Sequence, residues 1–195
     1  MTKVAMGPKT MIYPTPVVLA GAVVDGKANF MTAAWCGVVN SRPPMVYVSL
    51  QHHRHTLKGI RQNLTFSINI PSSDMVKETD YCGIISGSKV DKVDVCKFTL
   101  FKGILDNCPL IEQCPVNLEC KAVHMLDLGS HLLVIGRIEE TYVSESCLTN
   151  GNPDIAKIKP FAYAVAPAHQ YYGLGEIIGK AFSSGEEMKA KLKHR

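Results

Sequence analysis

No pair of the seven cysteines, at 36, 82, 96, 108, 114, 120 and 147, forms a C-x-x-C, and their number is odd. Neither a secreted disulfide framework nor a thioredoxin motif is indicated, so reduced thiols in a cytoplasm are the expectation. Long apolar runs are missing too. The run from Pro16 to Val24 is about half the roughly 20 residues that a membrane-spanning helix needs, so no membrane is expected. Lys3 and Lys9 flank only Val4, Ala5 and Met6 as apolar residues, too short a stretch for a secretory signal. Excess charge of one sign is confined to the end of the chain. Lys189, Lys191, Lys193 and Arg195 supply four of the 21 basic residues, which leaves 17 against 17 acidic ones. A nucleic-acid partner, which would call for a basic face on the folded body, is therefore not expected. No G-x-G-x-x-G follows a strand pattern, which argues against a dinucleotide-binding fold of the Rossmann kind.

With 46% hydrophobic and 19% charged residues, 195 residues suffice for one core. The expectation is a single domain over 1–195, with residues 176–195 as a C-terminal extension. Pro16–Val24 reads as a strand and Asp25-Gly26 as a hairpin turn, because glycine tolerates positive φ there. Phe30–Val39 follows as one strand, Asn40–Pro44 interrupts, and Met45–Leu50 alternates with period two. Leu57, Ile60 and Leu64 have helical spacing behind Thr56, which is placed as an N-cap. Thr65–Ile70 is a strand. Ser72–Asp74 then opens a second helix stopped at Gly87, and the segment 88–108 is part loop and part short helix. Val116–Leu128 and His131–Ser144 form a long hairpin through Gly129-Ser130, Phe161–Val165 is a short strand, and helix or loop follows from Tyr171. Short strands without βαβ alternation predict a mainly β fold, a barrel with peripheral helices.

Three groups of residues bear on chemistry. Cys108, Cys114 and Cys120 are six apart, so in continuous strands the thiols would stand about 20 Å apart, too far to share a metal; buried free thiols are the alternative reading. His52, His53 and His55 sit with Arg54, Thr56, Lys58 and Arg61 where a strand gives way to a helix. Adjacent histidines on a strand face opposite ways, which disfavours a metal. A helix start with free amides and cations suits a single phosphate, and an ordinary capped helix with a solvated basic end is the alternative. In Asn29–Cys36 the small Ala33 and Ala34 leave the backbone approachable, so a flat ligand could lie along it under Trp35; ordinary strand packing is the alternative.

Six stretches in order carry a resemblance: Asn29–Trp35, Pro43–Ser49, His55-Thr56, Phe66–Asn69, Gly129–His131 and Tyr171–Gly175. Together they resemble the flavin reductase-like family of FMN-binding split barrels, on its flavoredoxin side. The resemblance implies a Greek-key-like antiparallel split barrel and a homodimer with non-covalently bound FMN. By it, Asn29, Met31, Thr32, Ala33, Ala34, Trp35 and Cys36 would border the isoalloxazine, and Ser49, Leu50 and Gln51 the ribityl side. Thr56, helped by His55 and Arg54, would hold the phosphate, and Lys92 would add a cation from its loop. His131 and Phe161 would reach the ring region, with the second subunit as a source. No residue is assigned a catalytic or metal-binding role. The implied function is an FMN-dependent oxidoreductase that passes electrons to a redox partner protein or small-molecule acceptor. Ser130 stands where many NADH-using members carry aspartate, so NAD(P)H-dependent flavin or ferric reduction is the alternative. An FMN storage or sensor module is the non-enzymatic one.

Overall fold

The computed structural model describes residues 1–186 and 188. The basic residues Lys189, Lys191, Lys193 and Arg195 lie outside the described residues, as does part of the expected extension. The strands are β1 (Thr15–Pro16), β2 (Val18–Val24), β3 (Lys27–Ala33), β4 (Cys36–Ser41), β5 (Pro44–Gln51), β6 (Thr65–Ile70), β7 (Leu100–Phe101), β8 (Leu110–Ile111), β9 (Val116–Asp127), β10 (His131–Val143), β11 (Leu148–Thr149), β12 (Asn152–Pro153), β13 (Phe161–Ala164) and β14 (Gln170–Gly173). The helices are α1 (His55–Asn63), α2 (Val76–Ile84), α3 (Lys92–Val95) and α4 (Ile155–Ile158).

Seven strands form one sheet in the order β3-β2-β6-β9-β10-β5-β4, every neighbouring pair antiparallel. The two edges, β3 and β4, are consecutive in sequence, so the sheet curls round until its ends meet without pairing. Alternation explains the interior. Val46, Val48 and Leu50 of β5 and Leu132 and Val134 of β10 point inward, where they meet Phe66, Ile68, Leu57 and Ile60 in one apolar core. The expected mainly β barrel with peripheral helices is the observed architecture.

The expected strand Phe30–Val39 is two strands. Ala33 is the last β3 residue paired with β2, opposite Val18, and Cys36 is the first β4 residue paired with β5, opposite Val48. Ala34 and Trp35 belong to neither ladder, because the chain there must leave one edge of the sheet for the other. Only the Trp35 carbonyl is taken up, by the Ser49 amide at 2.8 Å.

Helix α1 begins two residues earlier than a Thr56 cap requires. Arg54 is the extended N-cap residue and makes no side-chain cap bond. Thr56 lies in the first turn, fully buried, and its Oγ1 accepts a 2.7 Å hydrogen bond from Asn29 Nδ2. The helix lies flat on β2 at Gly59, where a Cβ would fall 2.3 Å from the Val23 carbonyl oxygen.

Helix α2 stops at Ile84, three residues before Gly87, and has no basic residue of its own in its last turn. Two cations from elsewhere meet its terminal carbonyls: Arg54 Nη1 donates to Gly83 O at 3.0 Å and Lys92 Nζ to Cys82 O at 2.7 Å. Beyond β13 the chain forms strand β14 rather than helix or loop from Tyr171, since β13 offers it an edge. Among the described residues no helix is long and apolar enough to cross a membrane.

Candidate functional site

The break between β3 and β4 opens into a cavity of about 460 Å³. Residues Met31 to Trp35 line one side of it and the end of β5, Ser49 to Gln51, another. Register brings the next wall: His131, the first residue of β10, lies opposite Gln51, and its ring stacks on Trp35 with centroids 4.5 Å apart and planes 26° apart. Burial, then the nearby His52, Arg54 and His53, holds the His131 pKa below the ordinary histidine range, so the stacked imidazole is neutral at neutral pH. Ser130 Oγ lies 2.8 Å from His131 Nδ1 and fixes the ring's other edge.

Ten of the residues expected to hold a cofactor therefore meet in one place: Met31, Thr32, Ala33, Ala34, Trp35, Ser49, Leu50, Gln51, Arg54 and His131. Asn29 and His55 line a separate cavity of about 460 Å³, together with Ser88 and Lys89 from the loop after α2. That loop lies close on Asn29. A Cβ at Gly87 would sit 1.8 Å from Asn29 Oδ1, so only glycine fits there.

Four residues are placed otherwise. Cys36 is buried against the core and borders the cavity behind Trp35. Phe161 is buried edge-on against Tyr171, with ring centroids 5.5 Å apart, and Tyr163, two residues on, lines the cavity at the β3–β4 break instead. Thr56 is fully buried, and its Oγ1 accepts from Asn29 Nδ2. Lys92, expected in a loop, is the first residue of α3 and 3% exposed; its ammonium donates to Phe30 O at 2.9 Å as well as to Cys82 O. It ties the middle of β3 to the end of α2, and burial depresses its pKa.

Sequence reasoning missed Tyr163, His169, Val165 and Thr10 in the cavity at the β3–β4 break and Ser88 and Lys89 beside Asn29. The aromatic set Tyr163, His169 and Tyr171 was the available signal. Of the three cysteines weighed as a cluster, Cys108 and Cys120 come together and Cys114 does not: Cys120 fills the main core with the Cys108 thiol against its backbone, and Cys114 joins Cys82 in a second cluster under α2. Burial pushes the Cys36, Cys82 and Cys108 thiols up to about 12, as suits apolar filling rather than metal ligation. Among the histidines, His52 Nε2 is 3.2 Å from Asp127 Oδ1 and 3.0 Å from Gly129 O, tying the strand end to the hairpin tip that carries His131.

A split antiparallel barrel whose edge break opens into a cavity with accessible backbone and stacked aromatic walls defines a class of flavin-binding fold. The family model described as "Flavin reductase like domain" matches residues 10–163, and the chain belongs to that family. Within it, the chain resembles flavoredoxins. The flavoredoxin of Methanosarcina acetivorans superposes with a TM-score of 0.92 at 40% identity, covering 96% of this chain and 100% of that one. For the flavoredoxin of Desulfovibrio vulgaris (Miyazaki F) the values are 0.88, 38%, 94% and 100%. In sequence, an uncharacterized protein of Archaeoglobus fulgidus is 30% identical over 144 residues, 74% of this chain and 80% of the relative. The chain is thus a flavin-binding redox protein of the flavin reductase-like family.

Proposed function

We propose that the chain binds one FMN without a covalent bond and passes electrons through it, as an FMN-dependent oxidoreductase of the flavoredoxin type. The observation that carries the reading is the unpaired turn at Ala34-Trp35, where amides that neither ladder uses border a cavity with a stacked Trp35–His131 wall. Flavin supplies hydride and one-electron transfer when bound, and the protein supplies orientation and polarity. The residues fit such a group. Ala33 and Ala34 let the ring approach the backbone, and Ser49 to Gln51 run along the ribityl side. The phosphate lies toward the start of α1, where the first-turn amides lie beside Arg54 and His55, and Lys89 lines one cavity with His55. Asn29 faces that end with its amide held by Thr56, and Lys92 supports it from behind by fixing β3. A neutral His131 keeps a second positive charge off the ring's outer wall.

On this reading the whole chain is one flavin-binding domain, with 176–195 as its extension. It works in the cytoplasm as a homodimer with a redox protein or small-molecule acceptor as partner. Purified protein should be yellow, bleach on chemical reduction and regain colour in air. Colourless protein that takes up no FMN would end the proposal. Steady-state NAD(P)H oxidation with a free flavin or ferric acceptor distinguishes the reductase alternative, and binding without any turnover distinguishes storage.

A further inference from the structure

Two thiols that the flavin reading leaves unused face each other under α2. Cys82, in α2, is fully buried, and Cys96, the C-cap residue of α3, packs with Val93 against the apolar cluster that holds Cys82, Met75 and Phe98. Lys92 sets their spacing. Its ammonium donates to Cys82 O at 2.7 Å, and its own carbonyl accepts from the Cys96 amide at 3.0 Å. Residues four apart on a helical turn share a face, so Cys96 stands on the side of α3 that already reaches the Cys82 backbone. There the two thiols lie within hydrogen-bonding reach, Cys82 donating to Cys96.

Their surroundings give them different parts. Cys96 is half-buried and is the one cysteine of the seven that solvent reaches. Burial raises its pKa, the Cys82 hydrogen bond lowers it, and Glu78 and Lys92 act in opposite directions. Cys82 is sealed off, and burial pushes its thiol up to about 12, so it meets Cys96 as the protonated partner. Cys108 and Cys120 are neighbours too, but both are buried and give an oxidant no entry. Between α2 and α3 runs the loop 85–91, whose Ser88 and Lys89 line the cavity beside Asn29. A bond from Cys82 to Cys96 closes that loop at its base.

We propose that Cys82 and Cys96 form an oxidation site for hydrogen peroxide, with Cys96 as the reacting thiol and Cys82 as the resolving one. The Cys96 thiolate attacks one peroxide oxygen and the O–O bond breaks. Cys96 becomes a sulfenic acid, and the departing hydroxide takes up the thiol's proton as water. The Cys82 sulfur then attacks the Cys96 sulfur, an S–S bond replaces the S–O bond, and a second water leaves with the Cys82 proton. Two thiols lose two electrons and one peroxide becomes two waters. The disulfide pins the loop that carries Lys89, and its formation does not depend on the flavin reading.

Mass spectrometry of peroxide-treated protein, with and without later dithiothreitol, tests the site. The expected product is lighter by two hydrogens, yields a peptide pair linked through Cys82 and Cys96, and returns to the dithiol on reduction. Closing the loop should raise the Tm by about 5–10 °C and slow trypsin cleavage after Lys89 by at least about threefold. Cys96→Ser should form no disulfide under the same conditions. Cys82→Ala should stop at a sulfenic acid on Cys96 that dimedone traps; where that buried variant does not fold, the linked-peptide map and Cys96→Ser decide. An unreacted parent, a link from Cys96 to any other cysteine, or a sulfinic acid in place of the disulfide overturns the assignment. So does an oxidised parent whose Tm is unchanged or lower.

Discussion

Replacing Lys92 by methionine removes the cation that joins β3 to α2 while keeping a side chain of similar length. Each charge-assisted hydrogen bond, here to Phe30 O at 2.9 Å and to Cys82 O at 2.7 Å, is worth about 1.5–3 kcal/mol. Against that, methionine has no ammonium to desolvate, an expense of several kcal/mol in itself. The two carbonyls left without a donor dominate what remains, and a net loss of about 2–4 kcal/mol is expected, read by urea unfolding. The loss should vary with pH. Burial depresses the folded pKa below the ordinary 10.5, so the lysine's burial penalty is fully present below its folded pKa. It is relieved as pH rises toward 10.5. The parent should therefore gain on the variant through that alkaline window. Binding separates the two roles open to this residue. A clamp behind the strand predicts that FMN and riboflavin affinities fall together. A fall confined to FMN would place the ammonium on the phosphate, and a variant as stable as the parent would refute the clamp.

Gly59→Ala should destabilise by about 1–3 kcal/mol in thermal unfolding, against the usual helix gain of about 1 kcal/mol, because its Cβ meets the Val23 backbone. By NMR, His131 should titrate below 6.5, and its folded-state depression makes stability fall as pH drops from 6.5 toward that midpoint. A thiol reagent should label Cys96 first, since it alone of the seven is not buried; early labelling of Cys36 would mean that the core opens easily.

The long hairpin of β9 and β10, the alternating β5 and the spacing of α1 were readable because each is a local pattern with one buried face. The break at Ala34-Trp35 was not. Thr-Ala-Ala-Trp-Cys carries no glycine, proline or turn dipeptide, and the strand ends only because its two halves pair at opposite edges of the sheet. Thr56 has the composition of a cap but is drawn inward by Asn29, a residue 27 positions away. The sequence places Lys92 as a loop cation for the phosphate, because two inward-facing carbonyls leave no sequence signal. Tyr163, His169 and Lys89 reach their cavities through tertiary folding of segments with no periodic signal, so the cavity walls were only half legible.

Titration of flavin-free protein with FMN, followed by flavin fluorescence, addresses the flavin site directly. Quenching by the Trp35–His131 wall that saturates at one FMN per chain, and weakens in Trp35→Ala, is the predicted result. Fluorescence that rises in proportion to added FMN, as in buffer, would contradict it.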